Sequence, residues 1–217
     1  MDCLEAIKIR RSIREYKDKP IPKELLEKIV DAGRFAPTAR GEEPWEFIII
    51  TDSEDLKKIG NITDHGKFIS RAFACIAVFC KETKYYLEDG CAATQNLMLA
   101  ATAFGIGSCW VAGDKKPYCT KINDLLNVPA SFKLVSLIAL GYPKADDTFK
   151  VANKRKIIAF DFINNPIPLT IPSAAAQRYS FFWINFKRKY KLQILAQAIA
   201  DSINACRSKK VKIGTIT

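Results

Sequence analysis

Apolar residues recur at helical spacing in four stretches of this chain: 4–9, 23–36, 52–60 and 120–129. In the second stretch the apolar positions form one stripe, which is typical of an amphipathic helix packed on a core. Proline bounds this helix, because Pro22 suits a first helical position and a helix cannot continue through Pro37. We therefore predict four helices that each bury one face.

Three other stretches are continuously apolar and rich in β-branched residues, at 46–51, 72–80 and 132–143. Such runs are typical of strands that are buried on both faces. Because these strands alternate with the predicted helices, the pattern indicates an α/β or α+β layer fold with a sheet covered on both sides. There is no internal repeat and no low-complexity segment.

The segment 88–107 is small or apolar on nearly every side, so it predicts a helix buried all round, at a domain centre or a subunit interface. It ends in "GIGSCW", where the glycines at 105 and 107 favour a helix C-cap followed by a turn. The dinucleotide fingerprint G-x-G-x-x-G is absent, as are Walker-type phosphate loops.

The composition is that of an ordinary globular protein. With 217 residues, about half of them apolar, the chain suits one domain with room for an appendage. Charges interrupt the opening segment, which predicts neither a secretory signal nor a membrane span, and we expect a cytoplasmic protein. Seven scattered cysteines and the single His65 predict buried thiols and no metal site.

Positive charge is concentrated near the end of the chain. Of the net charge of +11, residues 178–217 contribute nine Lys/Arg against Asp201 alone, which leaves about +3 for the rest. We predict a nearly neutral domain over 1–170 and a basic C-terminal extension over 171–217.

The sharpest chemical feature is "KIRRSIREY", in which Arg10, Arg11 and Arg14 surround Ser12. One interpretation is that these cations complement a helix C-terminus and point into water. The other is a phosphate clamp, since arginine forks bind phosphate at two points and a serine hydroxyl adds a donor.

Equipment for acid–base or nucleophilic catalysis is missing from the sequence. There is no G-x-S-x-G, and the acidic pairs Glu42–Glu43 and Asp146–Asp147 are typical of solvated loops. Anion-binding residues without a catalytic side chain suit an enzyme whose cofactor supplies the chemistry.

Taken in order, four motifs resemble the flavin-dependent nitroreductase family. They are "RRSIREY", "APTARGEEPWEFIII", "EDGCAATQNLMLAATAFGIGSCWV" and "LIALGYP" followed by "KRK", and together they span residues 1–161. The resemblance implies an α+β fold, with a central, mostly antiparallel sheet flanked by helices, in an intertwined homodimer. It also implies one FMN in each of two sites at the subunit interface.

The resemblance implies roles for thirteen residues. One group would hold the phosphate, ribityl chain and pyrimidine edge of FMN: Arg10, Arg11, Ser12, Arg14, Lys154 and Arg155. A second group would come from the other subunit and lie along the flavin ring: Pro37, Thr38 and Ala39. A third would face the ring or its reactive edge near N5: Trp110, Ala112, Gly113 and Gly141.

The implied reaction is hydride transfer from NADH or NADPH to the flavin, followed by reduction of a nitroarene, a quinone or a similar acceptor, with no catalytic side chain. Rival hypotheses are another reaction of the same fold, such as dehalogenation or flavin breakdown, and a non-catalytic binding protein that uses its basic tail. A substrate lid would favour the first rival, and no long insertion follows the buried helix.

Two departures from the family pattern stand out. Gly41 and Glu43 replace the usual Asn and Gln, and the tail from about Ile171 does not align. We interpret the tail as a helix packed on the partner subunit. We expect no nucleic-acid partner, and a weak contact of the tail with a membrane surface stays open.

Overall fold

The computed structural model describes residues 1–145 and 148–151. Its helices are α1 (Cys3–Ile9), α2 (Lys23–Arg34), α3 (Ser53–Ile62), α4 (Tyr86–Ala103) and α5 (Cys119–Leu125). Its strands are β1 (Trp45–Ile50), β2 (Ala74–Lys81), β3 (Gly107–Ala112) and β4 (Phe132–Gly141). Two short 3₁₀ turns, Ala39–Gly41 and Lys67–Arg71, complete the elements. The predicted basic extension lies outside the described residues.

The four strands form one sheet in the order β1-β2-β4-β3, and every neighbouring pair is antiparallel. Together with the helices, this sheet gives the α+β architecture, so that fold prediction is confirmed. β3 lies at one edge, next to β4 alone. One side of β3 is therefore available for another part of the chain or for a ligand.

Each face of the sheet carries its own hydrophobic cluster, as the continuous strand patterns predict. Along β2, Ile76 and Val78 join α2 and α4 on one face, whereas Ala77 and Phe79 join α3 and α5 on the other. Alternate side chains of a strand point to opposite faces, so a strand buried on both faces must be apolar at every position.

The prediction for 88–107 is correct in type and wrong in extent. α4 ends at Ala103, Gly105 has a φ of 71°, and Gly107 already begins β3. The glycine turn is therefore present, but "GSCW" belongs to a strand that the sequence pattern did not predict. α4 is the longest helix described, and no helix among the described residues is long and apolar enough to span a bilayer.

The thiols test this packing directly. Cys75 and Cys80 have no exposed surface, and burial raises the pKa of each thiol to about 12, whereas Cys3 is exposed. Because the thiolate is the reactive form, iodoacetamide at pH 8 should alkylate Cys3 within minutes and leave Cys75 and Cys80 unmodified. Peptide mass spectrometry measures this, with the unfolded chain as the control. Equal labelling of Cys3 and Cys75 in the native protein would contradict the buried strand.

Candidate functional site

The arginine segment lies against the open edge of the sheet. After α1 ends, the backbone N–H of Ile13 donates to the carbonyl of Ser108 on β3 at 2.9 Å, and Ser12 forms a parallel bridge with Ser108. Farther along, Lys17 N donates to the Tyr142 carbonyl at 2.8 Å. These backbone bonds fix the segment that carries Arg10, Ser12 and Arg14 at the beginning of β3 and the end of β4.

Two glycines make this close approach possible. A Cβ on Gly107 would lie 2.9 Å from Ile13 Cβ, and a Cβ on Gly141 would lie 2.5 Å from the Tyr16 ring. The Tyr16 hydroxyl donates to the Ile13 carbonyl at 2.6 Å, and burial raises the pKa of Tyr16 far above its ordinary value. Gly141 is therefore covered by Tyr16, at the same end of β3 as the arginines.

The three arginines have different environments. Arg11 Nη1 donates to the carbonyls of Lys8 and Arg10, which caps the end of α1. Arg10 and Arg14 form no ion pair with any carboxylate of the described residues. Arg14 instead lies over the Phe68 ring, 5.6 Å from its centroid. The anion that these two cations would bind is therefore not a described side chain.

Cys109 on β3 lies close to Arg10, Ser12 and Arg14. Burial raises the pKa of its thiol, while Arg14, a hydrogen bond with Ser12 and Arg10 oppose that rise. Two polar atoms close to where the arginine segment meets β3 are buried without a hydrogen-bond partner, Arg11 Nη2 and Ser108 Oγ. Unpaired buried polar atoms are costly, so this part of the structure fits a bound polar ligand.

The remainder of the β3 edge offers backbone donors. Because the Ser108 carbonyl faces outward to Ile13, alternation along the strand turns the N–H groups of Trp110 and Ala112 outward as well. The Gly113 N–H faces inward and donates to the Val135 carbonyl at 3.0 Å. Of the predicted residues at this edge, Trp110 and Ala112 can therefore donate to a ligand through the backbone, and Gly113 cannot.

The turn after β3 is held from three sides. Tyr118 Oη donates to the Ala112 carbonyl, Cys119 Sγ donates to the Gly113 carbonyl at 2.7 Å, and Tyr86 Oη donates to Asp114 Oδ1 at 2.6 Å. The bond to Asp114 raises the pKa of Tyr86 to about 12. A Cβ on Gly113 would lie 2.6 Å from the Leu134 carbonyl oxygen, which leaves no room for a side chain.

The second predicted group, Pro37–Ala39, lies elsewhere in the chain. Thr38 Oγ1 and Ala39 N both donate to Asp89 in the first turn of α4, each at 3.0 Å. That turn lies over Cys80 and Val135, near the end of the sheet opposite the arginines. The five steps of β3 alone span about 16 Å. A single chain thus brings the arginines to β3 but does not bring this loop to the arginines.

Other predicted residues are placed as follows. Glu42 and Glu43 are exposed, Gly41 has a φ of 68°, and Glu43 has a φ of 43°. Lys154 and Arg155 lie outside the described residues, so their role stays a prediction. Sequence reasoning missed Asp89, although a carboxylate inside a helix of small and apolar residues was a visible signal.

Comparisons with known proteins agree with this arrangement. The sequence profile of the Nitroreductase family matches residues 7–69 and 81–142. A proposed NADH dehydrogenase/NAD(P)H nitroreductase of Archaeoglobus fulgidus is 39% identical over 161 residues, which cover 71% of this chain and 92% of that protein.

Two solved structures are also similar. A proposed NADH dehydrogenase/NAD(P)H nitroreductase of Parabacteroides distasonis aligns with a TM-score of 0.68 and 32% identity, over 73% of this chain and 97% of that one. An FMN-dependent nitroreductase of Clostridium difficile aligns with a TM-score of 0.68 and 29% identity, over 73% and 98%. The four motifs, the antiparallel sheet and these matches agree: the chain belongs to the nitroreductase family.

Proposed function

We propose that the protein is an FMN-dependent oxidoreductase and that FMN lies along the edge of β3. The observation that carries this proposal is the pairing of two different features on one edge. Arg10 and Arg14, which form no ion pair with a carboxylate of the described residues, lie at one end, and the outward N–H groups of Trp110 and Ala112 lie toward the other. An elongated ligand with a phosphate at one end and a polar ring at the other matches that spacing.

The residues would have the following roles in FMN binding. Arg10 and Arg14 bind the phosphate through charge-assisted hydrogen bonds, and Ser12 adds a hydroxyl donor. Arg11, which already caps α1, keeps Nη2 for the ligand. Trp110 and Ala112 donate from a fixed strand, so the orientation of the ring costs little reorganisation.

Flavin, when bound, accepts hydride from a nicotinamide and passes electrons to an acceptor. The described side chains at the edge include no carboxylate or histidine that a proton-transfer step would need, and the reaction requires position more than acid–base groups. NADH or NADPH is the proposed donor, and a nitroarene, a quinone or a similar small electron-poor molecule is the proposed acceptor. Only Phe104–Ile106 join α4 to β3, which leaves no room there for the lid expected of a dehalogenating relative.

A homodimer completes the proposal. Several large apolar side chains are exposed in the single chain: Leu4 at 67%, Ile7 at 49%, Phe35 at 78% and Phe104 at 40%. Leu4 and Ile7 lie on α1, which contacts α4, and contiguous apolar surface is typical of protein interfaces. A partner that covered them would also bring a second Pro37–Ala39 loop.

Flavin content tests the cofactor site. The purified protein should carry FMN and oxidise NADH or NADPH when a nitroarene or quinone is added. The double variant Arg10→Ala/Arg14→Ala loses two charge-assisted contacts, each worth about 1.5 kcal/mol or more, so its Kd for FMN should rise at least about 100-fold. Fluorescence titration measures the Kd.

Lys57→Ala/Lys58→Ala is the matched control, because it removes the same charge from the exposed surface of α3. This control should bind FMN like the wild type. Equal losses in both double variants would show a general electrostatic effect, and a wild type that cannot be reconstituted with FMN would refute the proposal. Salt-dependent binding of nucleic acid by such a protein would then favour a binding function of the basic tail.

Mass measurement tests the dimer. Light scattering should give about twice the chain mass of 24.4 kDa. Leu4→Glu/Phe104→Glu buries charge in the proposed interface and should yield a monomer that has lost FMN. Lys121→Glu, an exposed position on α5 at the other face of the sheet, should remain dimeric. A monomeric wild type that holds FMN would contradict the two-chain site.

A further inference from the structure

Asp89 is a buried carboxylate that none of the proposed roles uses. It lies in the first turn of α4 with 4% of its surface exposed. Its two oxygens accept from Thr38 Oγ1 and Ala39 N, each at 3.0 Å. No Lys or Arg in the described part of the chain forms an ion pair with it.

Burial of a carboxylate without a cation is unfavourable unless hydrogen bonds replace the lost water. The N-terminal end of α4 supplies a favourable dipole, since Asp89 is in its first turn. Both hydrogen bonds to the Asp89 carboxylate come from one loop, through Thr38 and Ala39. These bonds therefore offset the free-energy cost of burying Asp89.

The loop held by Asp89 has an unfavourable backbone conformation that these hydrogen bonds help to maintain. Arg40 and Glu43 have φ values of 62° and 43°, in the left-handed region that residues with a side chain rarely adopt. Thr38 Oγ1 also accepts from Glu43 N at 3.1 Å, so one hydroxyl links Asp89 to the far side of the loop. Arg40 lies 5.9 Å from the centroid of the Tyr85 ring, just before α4. Among the described residues, the hydrogen bonds of Thr38 and Ala39 to α4 are those to Asp89.

This tether also decides what the loop can present to a ligand. The Thr38 hydroxyl and the Ala39 N–H point to Asp89 of their own chain, so neither is free to donate to a flavin. The Pro37 ring and the carbon atoms of Thr38 and Ala39 then form the apolar part of the loop. An apolar surface of that kind suits the face of a flat aromatic ring.

We propose that Asp89 is a positioning residue that acts in trans: it fixes the Pro37–Ala39 loop of one subunit in the conformation that covers the FMN of the other. This inference rests on the proposed function, because it takes FMN and the two-chain site as given. Under this inference, Asp89 of one subunit contributes to binding the FMN whose phosphate is held by the arginines of the other subunit.

Complementation in a mixed dimer tests this inference. One chain carries Asp89→Ala and a second affinity tag, and the other carries Arg10→Ala/Arg14→Ala. Each homodimer should bind FMN more weakly, with the Kd of the Asp89→Ala protein about tenfold above that of the wild type, since two hydrogen bonds are lost. The heterodimer, isolated through both tags, contains one site with intact arginines and an intact partner loop. That site should bind FMN with the Kd of the wild type, at about one FMN per dimer against two in the wild-type dimer, and regain the corresponding activity.

The outcomes separate the two levels of the proposal. A wild type without FMN refutes the proposed function. A wild type with FMN but a heterodimer whose site keeps the raised Kd of the Asp89→Ala protein overturns the action in trans, because Asp89 then supports the site of its own chain or the fold in general. An Asp89→Ala homodimer that binds FMN normally also overturns the inference.

Two further variants serve as a control and as a substitute for Asp89→Ala. Thr102→Val removes another buried hydroxyl of α4, which donates to Met98 far from the loop, and it should leave FMN binding unchanged. If Asp89→Ala does not fold, Asp89→Asn replaces it. The amide keeps one acceptor but cannot reproduce both carboxylate bonds in their present form, so the same complementation is expected with a smaller initial loss.

Discussion

The backbone hydrogen bond from Ile13 N to the Ser108 carbonyl, at 2.9 Å, places the arginine segment on the edge of the sheet. Everything at the candidate site depends on this pairing. It requires Gly107, because a Cβ there would meet Ile13. It also determines which residues of β3 direct their backbone N–H groups away from the sheet. Those of Trp110 and Ala112 face outward, on the side where the arginines lie. An anion site and a row of backbone donors thereby share one rigid edge.

The same geometry bears on the proposal of a two-chain site. α4 carries the loop anchor in its first turn, whereas the arginines lie where α4 has already ended and β3 begins. The 12 residue steps of α4 from Asp89 to Ala101 span about 18 Å, which a short loop tied to Asp89 cannot cross. In the proposed dimer, a second copy of the chain would cover the exposed Leu4 and Phe104 and supply the second loop. The exposed apolar surface would then associate the chains, and the buried Asp89 carboxylate would fix the loop that each chain offers to the other.

Much of the fold could be predicted from local pattern. α2, α3, β1, β2 and β4 lie within two residues of their predicted limits, because each has a long apolar period or run. β3 could not be predicted, since "GSCWVA" lacks a β-branched run and follows α4 after three residues. The arginines were visible in the sequence, but that Arg10 and Arg14 have no carboxylate partner in the part of the chain that the structure describes is a property of the fold. The bond between Thr38 and Asp89 joins residues 51 positions apart, and no local signal specifies such a partner.

The most direct test of the account is an anaerobic reduction of the purified protein, followed by spectroscopy. Bound oxidised flavin should show bands near about 370 and about 450 nm, and the second band should disappear when NADH or NADPH is added. It should return on addition of a nitroarene or quinone, without oxygen. A flavin that is bound along β3 but is reduced by neither nicotinamide would contradict the oxidoreductase account while leaving the fold intact.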